Sequence, residues 1–292
     1  MRCLTRLTCC LLTTLLWSGL CSADPAIWQV KGKHNTLYLL GTIHMLQHDE
    51  TLPDNVNQAY RSAEKLLMEV DMDDPDPSAV KALTLKLGTL PNGQTLMSKL
   101  DEATNRKLQA AANTLGFDAN DLAPFRPWLA ALTLEQLQLN KLGYAVDAGV
   151  EMQLTQQAMA DHKPIQGLET LEQQLKVFAS LNNKAQREYL EHTLMELDEA
   201  PTELEALSSA WRQGDDKELQ KMLEQGFADD PKLFTKLTTA RNKRWMVTLK
   251  PLLERGQDDY LVAVGALHLI GNDGLVNLLK RAGYTVTREP IN

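Results

Sequence analysis

Beyond residue 23 the sequence contains no cysteine: Cys3, Cys9, Cys10 and Cys21 all fall in the first 23 positions. The remainder therefore has no disulfide, thiolate ligand or cysteine nucleophile, and a metal would have to be held by nitrogen and oxygen. Aromatic residues amount to 5%, too few for a broad stacking platform on nucleic acid. Dense Lys/Arg blocks are also missing. With 38 acidic against 30 basic residues the formal net charge is −8, which argues against nucleic-acid partners and an anionic membrane surface. Gly-x-Ser-x-Gly, Walker, His-Glu-x-x-His and dinucleotide-binding glycine signatures do not occur. Serine hydrolase, nucleotide-binding and dehydrogenase readings thereby lose their simplest support.

What is present begins with an export signal. MRCLTR carries two arginines, the apolar stretch CCLLTTLLWSGL follows, and CSA precedes Asp24. A charged start, a short apolar core and small residues at the cut predict a secretory signal over residues 1–23, cleaved after Ala23. The apolar stretch is shorter than the ~20 residues a membrane span needs, so no span is expected after signal removal. The remaining 269 residues carry a net charge of −10 and suit an exported protein, periplasmic or secreted.

IWQV (27–30) and LYLLG (37–41) flank a Gly- and Asn-containing turn and predict a hairpin. LLMEV (66–70), KPIQGL (163–168), DDYLVAVGALHL (258–269) and YTVTRE (284–289) read as further strands. Helical periodicity dominates about 78–160 and 170–256. The expected fold is thus α/β: a central mixed sheet built from N- and C-terminal segments, in one domain over 24–292 with large helical insertions.

Four of these apolar runs finish in a side chain able to bind metal or move protons. LYLLG leads to His44, LLMEV carries Glu69, KPIQGL delivers Glu169, and LVAVG leads to His268. If the strands are parallel neighbours, these groups meet in the crevice beyond their carboxyl ends. Glycine three residues before each histidine lets the chain turn sharply and lets another group approach closely. Two histidines and a carboxylate make a catalytic metal set, and a second carboxylate can act as base. On spacing alone the alternatives stay open. Each histidine can be a hydrogen-bonded structural residue, Glu69 a buried ion-pair partner of Arg241, and Glu169 a helix-start carboxylate. Arg241, in the basic run RNKR (241–244), can lie on a solvated helix face.

GTIH (41–44), MEVD (68–71), GLET (167–170), the pair Arg241 and Asn242, and VGALHLIGNDGLVNLLKRAGYTV (264–286) together resemble the TraB/GumN family, which includes the TIKI metalloproteases. The resemblance runs from about Leu37 to Val286. It implies a fold related to haem-binding ChaN-like proteins and erythromycin-esterase-like enzymes. It also implies a metal-dependent hydrolytic site cutting peptide or protein amide bonds. His44 and His268 would be ligands of a divalent manganese, cobalt or zinc ion. Glu69 or Glu169 would complete the shell while the other activates water, and Arg241 would stabilise an anion or oxyanion. Many relatives carry Gly-x-Asp where this chain has Gly149-Val150-Glu151. The alternative expectation is a non-catalytic protein of the same fold that binds haem, a metal or a peptide.

Overall fold

The computed structural model describes residues 24–73, 76–197, 200–228 and 230–288; the expected signal segment lies outside them. Its strands are β1 (Ile27–Lys31), β2 (Thr36–Thr42), β3 (Leu46–Gln47), β4 (Lys65–Met68), β5 (Tyr144–Ala145), β6 (Ile165–Gly167), β7 (Tyr260–Gly265) and β8 (Val286–Thr287). Helix α1 (Asp54–Ser62) precedes β4. Between β4 and β6 run α2 (Pro77–Gly88), α3 (Glu102–Leu115), α4 (Pro127–Lys141) and α5 (Val150–Ala160). Between β6 and β7 run α6 (Leu171–Ala179), α7 (Asn183–Glu196), α8 (Ala200–Arg212), α9 (Asp216–Gly226), α10 (Pro231–Phe234) and α11 (Ala240–Arg255). Helix α12 (Leu275–Arg281) links β7 to β8.

The architecture is mixed α/β around a six-stranded sheet of order β6-β4-β7-β2-β1-β8. Strands β2, β4, β6 and β7 are mutually parallel, whereas β1 pairs antiparallel with β2 and with β8. Every residue of β7 is buried, as expected of a central parallel strand covered on both faces. One face packs Leu40, Leu66 and Leu261 against α1, α5 and α8 through Tyr60, Leu154 and Trp211. The other packs Leu39, Leu67 and Val262 against α11 and α12 through Trp245, Leu249 and Leu275. A third cluster, including Leu108, Leu134 and Leu190, holds the first helical segment to α7.

Several strands are shorter than their apolar runs. The run 66–70 is strand only to Met68, which leaves Glu69 just past the strand end. Of the run 284–289 only Val286–Thr287 is strand, paired with Gln29 and Val30, while Lys31 N donates to the Thr285 carbonyl at 3.2 Å. Strand β5, paired with β3 in a two-stranded ribbon, interrupts the region 78–160 in which helical periodicity dominates. Among the described residues no helix is long and apolar enough to cross a membrane.

Candidate active site

The parallel register fixes where chemistry collects. Thr42 lies opposite Gly265, and Met68 opposite Ala263 and Gly167, so four strands end at one edge of the sheet. Past those ends stand His44, Glu69, Glu169 and His268, joined by Arg241 from the first turn of α11.

The two glycines have complementary tasks. A Cβ on Gly41 would come within 2.9 Å of the Cα of Ala266, so the first Gly-x-x-His segment stays thin where the second crosses it. A Cβ on Gly265 would lie 3.2 Å from Glu69 Oε1, 3.6 Å from His44 Nε2 and 3.7 Å from His268 Cδ2. Both imidazoles and the Glu69 carboxylate therefore surround one point, and glycine keeps it open.

Arg241 ties the inner part of this cluster together. Its Nε donates to Glu169 Oε1 at 2.8 Å, and its Nη2 donates to Glu69 Oε2 and to Glu169 Oε1 at 2.5 Å. Its Nη1 donates to the Leu237 carbonyl at 3.1 Å and to His268 Nε2 at 2.9 Å. All five N–H groups of the guanidinium are thus spent inside the protein. Arg241 is 6% exposed, which excludes the solvated helix face that its basic run left open. It lies 4.7 Å over the Trp245 ring, which also packs on His268 with ring centres 4.4 Å apart. Arg241 is therefore an organiser of the site, with no donor left over for a substrate oxyanion.

His268 is neutral and its tautomer is set from both sides. Nε2 accepts from Arg241, so Nδ1 carries the proton and donates to Asn242 Oδ1 at 2.6 Å. Asn242 is anchored in turn by the carbonyls of His268 and Asp273. Burial holds the imidazolium form down to a pKa of about 3. Glu69 accepts from Gly265 N at 2.8 Å and Gln174 Nε2 at 3.0 Å. Burial opposes its ionisation, but the neighbouring imidazoles, Arg241 and the Gly265 N–H outweigh it and hold its pKa near about 2.

His44 differs from the others because its side chain is 67% exposed. Glu151, in the first turn of α5, accepts from its Nδ1 at 2.7 Å and from Thr42 Oγ1 at 2.5 Å. That carboxylate raises the His44 pKa to about 9 and leaves Nε2 directed at the point beside Gly265. Glu151, which the sequence offers only as a departure from a family pattern, reaches the imidazole. Gly149 is needed because a Cβ there would overlap the His44 carbonyl oxygen.

The donor chemistry suits a divalent ion in kind: two imidazole nitrogens and a carboxylate, each ring steadied through Nδ1 by a second group. The arrangement does not suit one in detail. Arg241 takes the Nε2 lone pair of His268, and both Glu69 oxygens already have donors. Among the described residues no three His, Cys, Asp or Glu side chains are placed to hold a metal ion.

These shifts make the fold sensitive to acid. His268 ordinarily titrates at 6.5 and Glu69 at 4.5, and both values are depressed in the folded protein. Their stabilisation is complete above pH 6.5. It falls as the unfolded chain takes up protons that the fold refuses, down to about pH 3 for His268 and about pH 2 for Glu69. At about 1.4 kcal/mol per unit of pKa difference, urea unfolding should lose several kcal/mol between pH 6.5 and 3. His268→Gln should flatten that loss.

A model of the TraB/PrgY/gumN family matches residues 26–288. "Uncharacterized protein YbaP" of Escherichia coli (strain K12) is 28% identical over 257 residues, covering 88% of this chain and 92% of the relative. An uncharacterized protein of Treponema pallidum (strain Nichols) is 24% identical over 203 residues, 68% of this chain and 59% of the relative. "Metalloprotease TIKI2" of Xenopus tropicalis is 22% identical, over 90% of this chain and 60% of its own length. No solved structure matches.

Proposed function

Given that the chain belongs to the TraB/PrgY/gumN family, we propose that it is an exported hydrolase, periplasmic or secreted, that cuts amide bonds in a peptide or protein. The observation that carries this reading is the pairing of one exposed histidine with a partly buried carboxylate at the mouth of a preorganised polar cluster. His44 is braced by Glu151 and aims Nε2 at the space kept by Gly265. In this reading His44, in its neutral form, takes a proton from water, which attacks the substrate carbonyl carbon; the resulting imidazolium returns the proton to the leaving amine. Arg241 acts through position, holding Glu69, Glu169 and His268 in a fixed wall. Arg244 holds Glu169 at 3.3 Å while keeping 52% of its side chain exposed, so it offers the cation for the developing oxyanion. The TIKI relatives are named metalloproteases, which supports an amide substrate. The ChaN- and erythromycin-esterase-like fold is part of this proposal.

A second reading puts manganese, cobalt or zinc on His44, His268 and Glu69, and is favoured by their convergence beside Gly265. It requires Arg241 to release His268. A third is a non-catalytic binder of haem, metal or peptide. Untagged protein, stripped with chelator and incubated with a peptide library with and without added metal, separates them. Cleavage that survives the chelator and vanishes in His44→Ala is expected. Cleavage unchanged in His44→Ala sinks the first reading. Metal-dependent cleavage selects the second. A Soret band in a haem titration, lost on histidine replacement, selects the third.

A further inference from the structure

A cavity of about 330 Å³ lies where the helical segments meet the turn that carries His268. Its apolar wall comes from Leu139 of α4, Leu204 and Leu207 of α8, Met222 of α9, Phe227, and Leu267, the residue before His268. The same wall includes Glu135, Glu196, which pairs with His192 Nδ1 at 3.0 Å, and Glu203, and no lysine or arginine lines it among the described residues. Glu135 is held in place by Tyr189 and Thr193 hydroxyls, each at 2.9 Å. A second cavity, of about 310 Å³, shares Leu267 and Phe227 with the first and reaches Asn242, the partner of His268 Nδ1.

We infer that the larger cavity is a specificity pocket for the proposed hydrolytic site, taking a bulky apolar side chain of a peptide that carries a lysine or arginine beside it. The inference rests on that hydrolytic reading for its position in a reaction, but not for the binding itself. Volume and wall suit one large apolar side chain, and ligand pockets combine such walls with a few fixed polar groups. Charge complementarity decides the neighbour. The exposed carboxylate of Glu203 on this wall, on a chain of net charge −8, attracts a basic residue and repels an acidic one. Placement decides the role, because Leu267 puts the cavity one residue from the histidine that Arg241 and Asn242 orient.

The test uses the full chain carrying His44→Ala and a calorimetric titration with nonapeptides whose central pair is Phe-Lys, Gly-Lys or Phe-Glu. Phe-Lys should bind at least tenfold more tightly than either of the others. Adding Leu204→Trp, which fills the cavity, should remove the preference for Phe over Gly. Glu203→Lys, at an exposed position, should remove the preference for Lys over Glu. Circular dichroism reports whether each variant folds. Equal affinities, no binding at millimolar peptide, or a Phe preference that survives in folded Leu204→Trp overturns the pocket. Wild-type cleavage of the same peptides reads the chemistry separately. Preference without cleavage overturns the hydrolase alone, and cleavage without preference overturns the pocket alone.

Discussion

Arg241→Met should lower the free energy of unfolding by about 3–5 kcal/mol, the usual loss when one partner of a buried ionic cluster is removed. For a chain of this size that amounts to a fall in melting temperature of roughly 5–10 °C, read by calorimetry. The reason is arithmetic of donors. Glu69 and Glu169, 6% and 8% exposed, share one guanidinium, and among the described residues no other lysine or arginine is as buried. Arg241→Lys should recover little, since an ammonium cannot reach two carboxylates, a carbonyl and an imidazole in one plane. Arg241→Met with Glu69→Gln and Glu169→Gln should regain much of the loss, because the orphaned charges go with the cation. The substitution also frees Nε2 of His268. Equilibrium dialysis against zinc should therefore show tighter binding to folded Arg241→Met than to the wild type. Equal binding would mean that the guanidinium does not compete for that lone pair.

His44→Ala should do the reverse: cost about 1 kcal/mol or less, as loss of a half-exposed ion pair does, and lower hydrolysis by about 10²–10⁴-fold. Glu151→Gln tests the same group by pH. Glu151 raises the His44 pKa to about 9. A base active in its neutral form therefore gains rate as pH rises through that value. Replacing the carboxylate by an amide moves the acid limb of the pH–rate profile down toward the ordinary 6.5. A limb that stays in place in Glu151→Gln would remove His44 from the proton-transfer role.

The sheet edge was legible because buried parallel strands appear as unbroken apolar runs, and polar residues immediately after them stand out. His44, Glu69, Glu169 and His268 were found that way, and the parallel register gathers them. Arg241 was visible only as a position in a family pattern; RNKR otherwise reads as surface, and its burial depends on carboxylates 72 and 172 residues away. Glu151 and Gln174 were not legible for the same reason. Each reaches its partner from a helix start 107 or 105 residues distant, which no local periodicity records. The ribbon of β3 and β5 is two residues per strand, too short for an alternation to show.

The strand that ends in Gly265 sits in the middle of the sheet, with β2 on one side and β4 on the other. A nascent chain that has emerged only as far as α11 holds two half-sheets with bare edges, and it lacks the second imidazole altogether. The polar cluster therefore closes only when that last central strand is inserted, since Gly265 N and His268 bring Glu69 and Arg241 their remaining partners.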